Sequence, residues 1–230
     1  MLQDEQKALV AKEAVNCLLQ QHPPYSILGI GTGSTVNLFI EALAPHATKF
    51  KGVISSSQAS TDRLLQKGFT VLDANEVDSL DVYIDGADEI NPEGVMLKGG
   101  GGALTREKIV ASMAKRFICI CDSSKQVMML GKFPLPIEVI PLASQKVASY
   151  LEKLGGVVSL RKSKEDPSKN FITDNSGWIL DVAGLKITDP KALETELNQI
   201  PGVICNGIFA QQKATQLIVS NPAGVEIIAF

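Results

Sequence analysis

The sequence has little of what several common functions require. Aromatic residues make up 5% of its 230 positions, with one tryptophan, and there are only 4 cysteines and 2 histidines. Cys17, Cys119, Cys121 and Cys205 form no CxxC pair and no disulfide-framework spacing. That argues against a zinc module or a secreted disulfide scaffold and for a reducing cytoplasm. His22 and His46 each stand beside a proline at a predicted helix end, away from other ligands, and read as structural; no metal site is expected. No apolar run approaches bilayer-spanning length. The start, Met1-Leu2-Gln3-Asp4-Glu5, lacks the basic-then-apolar order of a signal peptide. The nearest thing to a basic run, Arg161-Lys162-Ser163-Lys164, is followed by Glu165-Asp166 and reads as a solvated loop. With a net charge of −3, neither nucleic acid nor a membrane is an expected partner.

What is present is ordinary globular material, 45% hydrophobic and 20% charged, in a chain long enough for one or two domains. Its first half alternates strand and helix. A helix over 4–20 ends at Pro23-Pro24. A strand, Ile27–Ile30, runs into Gly31-Thr32-Gly33-Ser34-Thr35 and a helix through Leu43. Such a strand, glycine loop and helix gather unpaired N–H groups and the positive helix end at one spot, which suits a phosphate. The dinucleotide fingerprint fails, because Ser34 or Val36 stands where the third glycine belongs. No Gly-Lys-[Ser/Thr] triplet makes a P-loop. The hydroxyls of Thr32, Ser34 and Thr35 instead suggest a small phosphomonoester. Further strands are expected at Val53-Ile54, Thr70–Leu72, Val82–Ile84 and Phe117–Cys121, with helices over 59–67 and 103–114. That alternation predicts an α/β fold, a Rossmann-like parallel sheet covered by helices.

Residues 81–108 are the centre of interest. The strand Val82–Ile84 stops at Asp85-Gly86-Ala87-Asp88-Glu89, three carboxylates in five residues. After a turn at Asn91-Pro92 come Lys98 and four glycines, Gly99 to Gly102. Four glycines suit a loop whose backbone passes close to a ligand and aims N–H groups at it. On the following helix, Glu107 shares a face with Leu104, Val110 and Ala111. An acid on a core-facing stripe costs stability unless it is paired or functional, which makes Glu107 the candidate catalytic base. The carboxyl edge of the sheet is expected to gather 32–35, 85–88, 98–101 and Lys125 into one crevice.

From Gly131 the texture changes. Phe133-Pro134-Leu135-Pro136 reads as a stiff connector. The order β-α-β-β-α-β that follows is that of a smaller ferredoxin-like α+β unit. The expected division is 1–131 plus 206–230 as the catalytic domain and 132–205 as the small domain.

A phosphate cradle, an inward glutamate, two aspartates, lysines and amide-rich glycines, with no nucleophilic cysteine and no Ser-His pair, fit proton transfer between carbons beside a carbonyl. The carboxylate takes the C–H proton, N–H and cationic donors stabilise the enediolate, and the aspartates hold sugar hydroxyls and help open the ring. Such a base works best with a pKa lifted towards neutrality. Residue types alone thus favour a phosphosugar isomerase. A phosphosugar sensor would explain the cradle without Glu107 but lacks a DNA-reading segment. A coenzyme A transferase-like enzyme would leave the aspartates unused.

The motifs themselves resemble one family. Thr32-Gly33-Ser34-Thr35, Ser55-Ser56-Ser57 with Ala59-Ser60-Thr61, Asp85-Gly86-Ala87-Asp88-Glu89, and Lys98-Gly99-Gly100-Gly101 with Leu104-Thr105-Arg106-Glu107-Lys108 are similar to type A ribose-5-phosphate isomerase. So are Gly131-Lys132-Phe133-Pro134-Leu135-Pro136, Ile172-Thr173-Asp174-Asn175 and Ile200-Pro201-Gly202-Val203. The resemblance covers essentially the whole chain, in order. It implies interconversion of D-ribose 5-phosphate and D-ribulose 5-phosphate in the non-oxidative pentose phosphate pathway, no metal or organic cofactor, and a homodimer or larger homo-oligomer. Carried over by position, it makes Glu107 the proton acceptor and gives Asp85 and Asp88 the substrate hydroxyls, with Gly86 and Ala87 between them and Asp85 assisting ring opening. Lys98 and the amides of Gly99, Gly100 and Gly101 steady the enediolate. Thr32, Gly33, Ser34 and Thr35 bind the phosphate, Lys125 is a further substrate contact, and Lys7 reaches the phosphate from the first helix. Two departures stand out. Gly102 replaces a frequent alanine and is expected to loosen the loop. The segment 161–171 is longer than the family pattern and is expected to alter only the surface.

Overall fold

The structure, a computed structural model, describes residues 2–21 and 26–230. His22 and the Pro23-Pro24 stop expected for the first helix lie outside the described residues. In chain order the elements are α1 (Gln3–Gln21), β1 (Ile27–Ile30), α2 (Ser34–Leu43), β2 (Gly52–Ser55), α3 (Gln58–Gln66), β3 (Val82–Asp85), β4 (Glu89–Ile90), β5 (Met96–Leu97), α4 (Leu104–Met113) and β6 (Phe117–Asp122). There follow β7 (Leu135–Val139), α5 (Ser144–Lys153), β8 (Val157–Leu160), β9 (Trp178–Ala183), α6 (Pro190–Asn198), β10 (Val203–Asn206), β11 (Ile208–Phe209), β12 (Gln216–Asn221) and β13 (Gly224–Ala229). The chain divides into two compact units. One is Met1–Ala87, Arg106–Gln126 and Gln212–Phe230; the other is Asp88–Thr105 and Val127–Gln211.

The first unit is built on a six-stranded sheet of order β13-β12-β6-β3-β1-β2. Every neighbouring pair is parallel except β12 with β13. A parallel strand covered on both faces must be apolar throughout. Accordingly Ile118, Cys119, Ile120 and Cys121 of β6 are all buried, as are Leu28 and Ile30 of β1. Helix α1 turns Val10, Ala14, Cys17 and Leu18 into the same core, at the i, i+4, i+7 and i+8 spacing of one helical face. The four cysteines are buried and none is in a disulfide. The strand order reverses at β1: the chain goes outward from β1 to β2, then returns to lay β3 on the other side of β1. Such a reversal opens a crevice at the carboxyl ends of β1 and β3, where open α/β sheets bind ligands. The expected strand at Thr70–Leu72 is reduced to a single parallel bridge from Val71 to Val53. Among the described residues only Val53 pairs with it, through its amide to the Thr70 carbonyl and its carbonyl to the Leu72 amide.

The second unit carries a four-stranded antiparallel sheet of order β10-β7-β9-β8. With α5 between β7 and β8 and α6 between β9 and β10, this is the ferredoxin-like arrangement. Its core joins Leu135, Ile137 and Val139 to Val147 and Leu151 of α5 and Leu197 of α6. On the other face of β7, Glu138 is fully buried and accepts hydrogen bonds from the hydroxyls of Thr105 and Thr173 and from the Asn175 amide. The stiff connector turns to strand earlier than expected, because Leu135 and Pro136 already pair with Val182 and Asp181. A small three-stranded sheet, β11-β5-β4, completes the unit.

Among the described residues no helix is long and apolar enough to cross a membrane.

Candidate active site

In the first unit the site residues cluster at the strand reversal. Asp85 ends β3 and is fully buried. Its Oδ1 accepts the amides of Thr32 at 3.0 Å and Gly86 at 2.7 Å, and its Oδ2 accepts the Tyr83 phenol. The carboxylate lies so close over Gly31 that a Cβ there would come within 2.0 Å of it, so only glycine fits. The Thr32 hydroxyl donates to Ser57 Oγ at 2.8 Å and lies 2.9 Å from Ser56 Oγ. Ser60 Oγ donates to the Gly31 carbonyl, and Ser57 caps α3 by accepting the Ser60 amide. The serine run thus holds the loop that opens α2. Gly33, not Ser34, is the N-cap residue of α2, at φ 126° and with no side-chain cap bond. Gly33 and Ser34 are exposed at this helix end and Thr35 is half-buried. The first amides of α2 and its positive end are therefore open to an anion.

Glu107 lies in the first turn of α4 and is 3% exposed, on the stripe that buries Leu104, Val110 and Ala111. Its charge reaches Tyr83. Burial first, then the charges of Asp85 and Glu107, push the Tyr83 phenol well above its ordinary range, against an opposing bond with Ser56. Tyr83 therefore stays a proton donor to Asp85 throughout the neutral range. Lys125 ends a short turn, Ser123–Lys125, after β6 and is half-buried. Asp122, which caps that turn, accepts from Gln3 of α1. Lys7, on the same helix, lies 3.4 Å from Asp4.

In the second unit, Asp88 is half-buried, and its Oδ2 accepts the Gly100 amide at 2.8 Å. Lys98 is 3% exposed, with Nζ 5.5 Å from the centre of the Phe209 ring. The aromatic face is a favourable neighbour for an ammonium at that distance. Glu89 works elsewhere, because its two oxygens accept the amides of Gly131 at 2.8 Å and Phe133 at 2.6 Å. The three acids of the cluster are thus divided. Asp85 fixes the loop from β3, Asp88 engages the glycine loop, and Glu89 anchors the connector.

Two expectations fall here. Gly102 does not loosen the loop. It sits at φ +82°, and a Cβ on it would meet the Phe171 ring at 2.4 Å, so glycine is what lets the loop pack tightly. Nor is the segment 161–171 confined to the surface. Arg161, at its start, donates to the carbonyls of Gly99 and Gly100. Tyr83 and Arg161 are the residues that sequence reasoning missed. For Tyr83 a signal existed, since residues two apart on a strand share a face, which puts its phenol beside Asp85. For Arg161 there was none, because the glycine carbonyls it holds are more than 60 residues away.

A family model described as ribose 5-phosphate isomerase A (phosphoriboisomerase A) matches residues 52–224. The chain belongs to this family. It is an isomerase that interconverts ribose 5-phosphate and ribulose 5-phosphate. Ribose-5-phosphate isomerase A of Polynucleobacter asymbioticus is 59% identical over 237 residues, covering 100% of both chains. The crystal structure of ribose 5 phosphate isomerase A from Neisseria gonorrhoeae has a TM-score of 0.92 at 44% identity, covering 99% of this chain and 97% of that one. A D-ribose-5-phosphate isomerase solved in complex with phospho-erythronic acid has a TM-score of 0.93 at 36% identity, with 100% of both chains covered.

Proposed function

We propose that this isomerase works through an enediolate, with Glu107 as its base. In the open-chain aldose, Glu107 takes the proton from C2 and electrons flow into the C1 carbonyl. The resulting enediolate carries its charge on O1 and O2. As the O2 proton passes to O1 and C1 receives the proton held by Glu107, the C2 carbonyl forms and the ketose is complete. Lys98 and the amides of Gly99 and Gly101, with that of Gly100 shared with Asp88 Oδ2, stabilise the developing oxyanion. The phosphate lies on the loop Thr32–Thr35 and the first amides of α2, with Lys125 and Lys7 as cationic contacts, and its binding energy is spent on holding the reacting carbons in place. Asp88, with Oδ2 on Gly100, takes substrate hydroxyls together with Gly86 and Ala87. Asp85 serves ring opening through Oδ2, the oxygen bonded by a phenol rather than by two backbone amides. We further propose that the chain acts in the cytoplasm, in the non-oxidative pentose phosphate pathway, as a homodimer or larger homo-oligomer. Its four buried cysteines, none in a disulfide, support a reducing compartment, and exposed Met128, Met129, Ile140 and Leu142 on the second unit support self-association.

The observation that carries the mechanism is Glu107 itself: an acid 3% exposed on an otherwise apolar helix face, whose charge is felt by the Tyr83 phenol. The test is ribose 5-phosphate turnover in deuterated water. The native protein should exchange the C2 proton. Glu107→Gln should lose exchange and turnover by about a thousandfold or more, with KM within a few-fold, as expected when a positioned base is removed. Exchange by Glu107→Gln at the native rate would assign the base elsewhere.

A further inference from the structure

We infer that Arg161 is a positioning residue for this isomerisation, acting on the peptide planes of the glycine loop. The inference rests on the reading above, in which amides of that loop stabilise the enediolate. The guanidinium spends its fork in two directions. Nε donates to Asp181 Oδ2 at 2.8 Å and Nη2 donates to Asp181 Oδ1, a bidentate pair that fixes the plane of the group. Nη1 then donates to the carbonyls of Gly99 at 2.9 Å and Gly100 at 3.2 Å. In a trans peptide the C=O of one residue and the N–H of the next point in opposite directions within one rigid plane. Holding the Gly99 carbonyl therefore aims the Gly100 N–H the other way, onto Asp88 Oδ2. Holding the Gly100 carbonyl likewise turns the Gly101 N–H away from the guanidinium.

Glycine makes this control necessary. A peptide flanked by glycines can flip at little steric cost. The Gly99 carbonyl also accepts the Gly102 amide at 2.9 Å, so the Gly100–Gly101 peptide is the one that depends most on Arg161. Arg161 supplies the brace and is itself supported. Its side chain is 15% exposed, and its guanidinium lies 5.9 Å from the centre of the Phe171 ring, the same ring that closes on Gly102. The Phe171 amide donates to the Arg161 carbonyl at 2.9 Å, so the two ends of the segment form one clamp under the loop. A lysine could carry the charge but could not hold two carbonyls and a carboxylate in one plane.

The experiment compares Arg161→Lys and Arg161→Ala with the native protein and with Glu107→Gln. Thermal melting accompanies each variant, and two affinities are measured: for phospho-erythronic acid, whose planar carboxylate resembles the enediolate end, and for inorganic phosphate. The expected result is a fall in kcat of about 10- to 100-fold in both arginine variants, by analogy with loss of an oriented oxyanion donor. Affinity for phospho-erythronic acid should fall in step, while KM and phosphate affinity stay within about threefold. If Arg161→Ala does not fold, Asp181→Asn, which leaves the guanidinium but weakens its anchor, should give the same split to a smaller degree. Native kcat in folded Arg161→Lys, or equal losses in both affinities, overturns the inference. Should Glu107→Gln stay active, the underlying mechanism fails instead; should it be dead while Arg161→Lys is normal, only the positioning role fails.

Discussion

At the scale of single residues, the site depends on acids whose oxygens are assigned before any substrate arrives. Tyr83 holds Asp85 Oδ2 while two amides hold Oδ1. On the proposed role of Asp85 in ring opening, Tyr83→Phe should lower kcat by about 3- to 30-fold with little change in KM, the loss expected when an acid gives up one oriented donor. The raised Tyr83 pKa has a further consequence. In the unfolded chain the phenol ionises near its ordinary value of about 10, whereas in the folded protein it stays protonated. Stability should therefore fall as pH rises past about 10, and less steeply in Tyr83→Phe, as urea unfolding at pH 8 and 10.5 would show. Glu107 was legible in the sequence because helical periodicity alone puts it on the apolar stripe. The parts played by Glu89 and Arg161 were not, since each is defined by backbone groups that only the folded chain brings near.

At the scale of elements, the long strands and helices announced themselves through periodicity, and their ends differ from expectation by a residue or two. The two-residue strands β4, β5 and β11 could not be read, because a pair of residues has no period and β5 with β11 joins segments over 100 residues apart. Glu138→Ala would strip the hydroxyls of Thr105 and Thr173 and the Asn175 amide of their common acceptor, and should cost about 2–3 kcal/mol in denaturant unfolding. Glu138→Gln, which keeps the shape, should cost less. Asp122 offers a test with pH. Burial raises its pKa, but the Ser124 hydroxyl and amide, Gln3 and Lys125 together bring it below the ordinary value. Its contribution should be fully present above about pH 4 and vanish as pH falls through the depressed folded value. The stability gap between the native protein and Asp122→Asn, about 1 kcal/mol at pH 7, should then close in acid.

At the scale of the whole molecule, strand order carries more than any single motif. The regular alternation predicted a parallel sheet, and the reversal beside β1 places the Thr32 and Asp85 loops together at its carboxyl edge. The chain's itinerary was harder to see: it leaves the first unit after Ala87, returns at Arg106, leaves again after Gln126 and comes back at Gln212. Both departures follow strands of the large sheet, and nothing in local composition marks the first of them. A ligand that grips only the folded site should stabilise it by mass action. An equilibrated mixture of ribose 5-phosphate and ribulose 5-phosphate at about 100 times its Kd should add about 2.7 kcal/mol, visible as a rise of several degrees in melting temperature.

The placement of β12 against β6 bears on how the protein is made. During synthesis the large sheet must wait, half zipped, until the stretch beyond Thr215 has left the ribosome. Until then Phe117–Asp122 offers its open flank to any passing extended segment. A chain cut just after Thr215 should accordingly precipitate rather than fold, and supplying the missing hairpin as a separate peptide should rescue it.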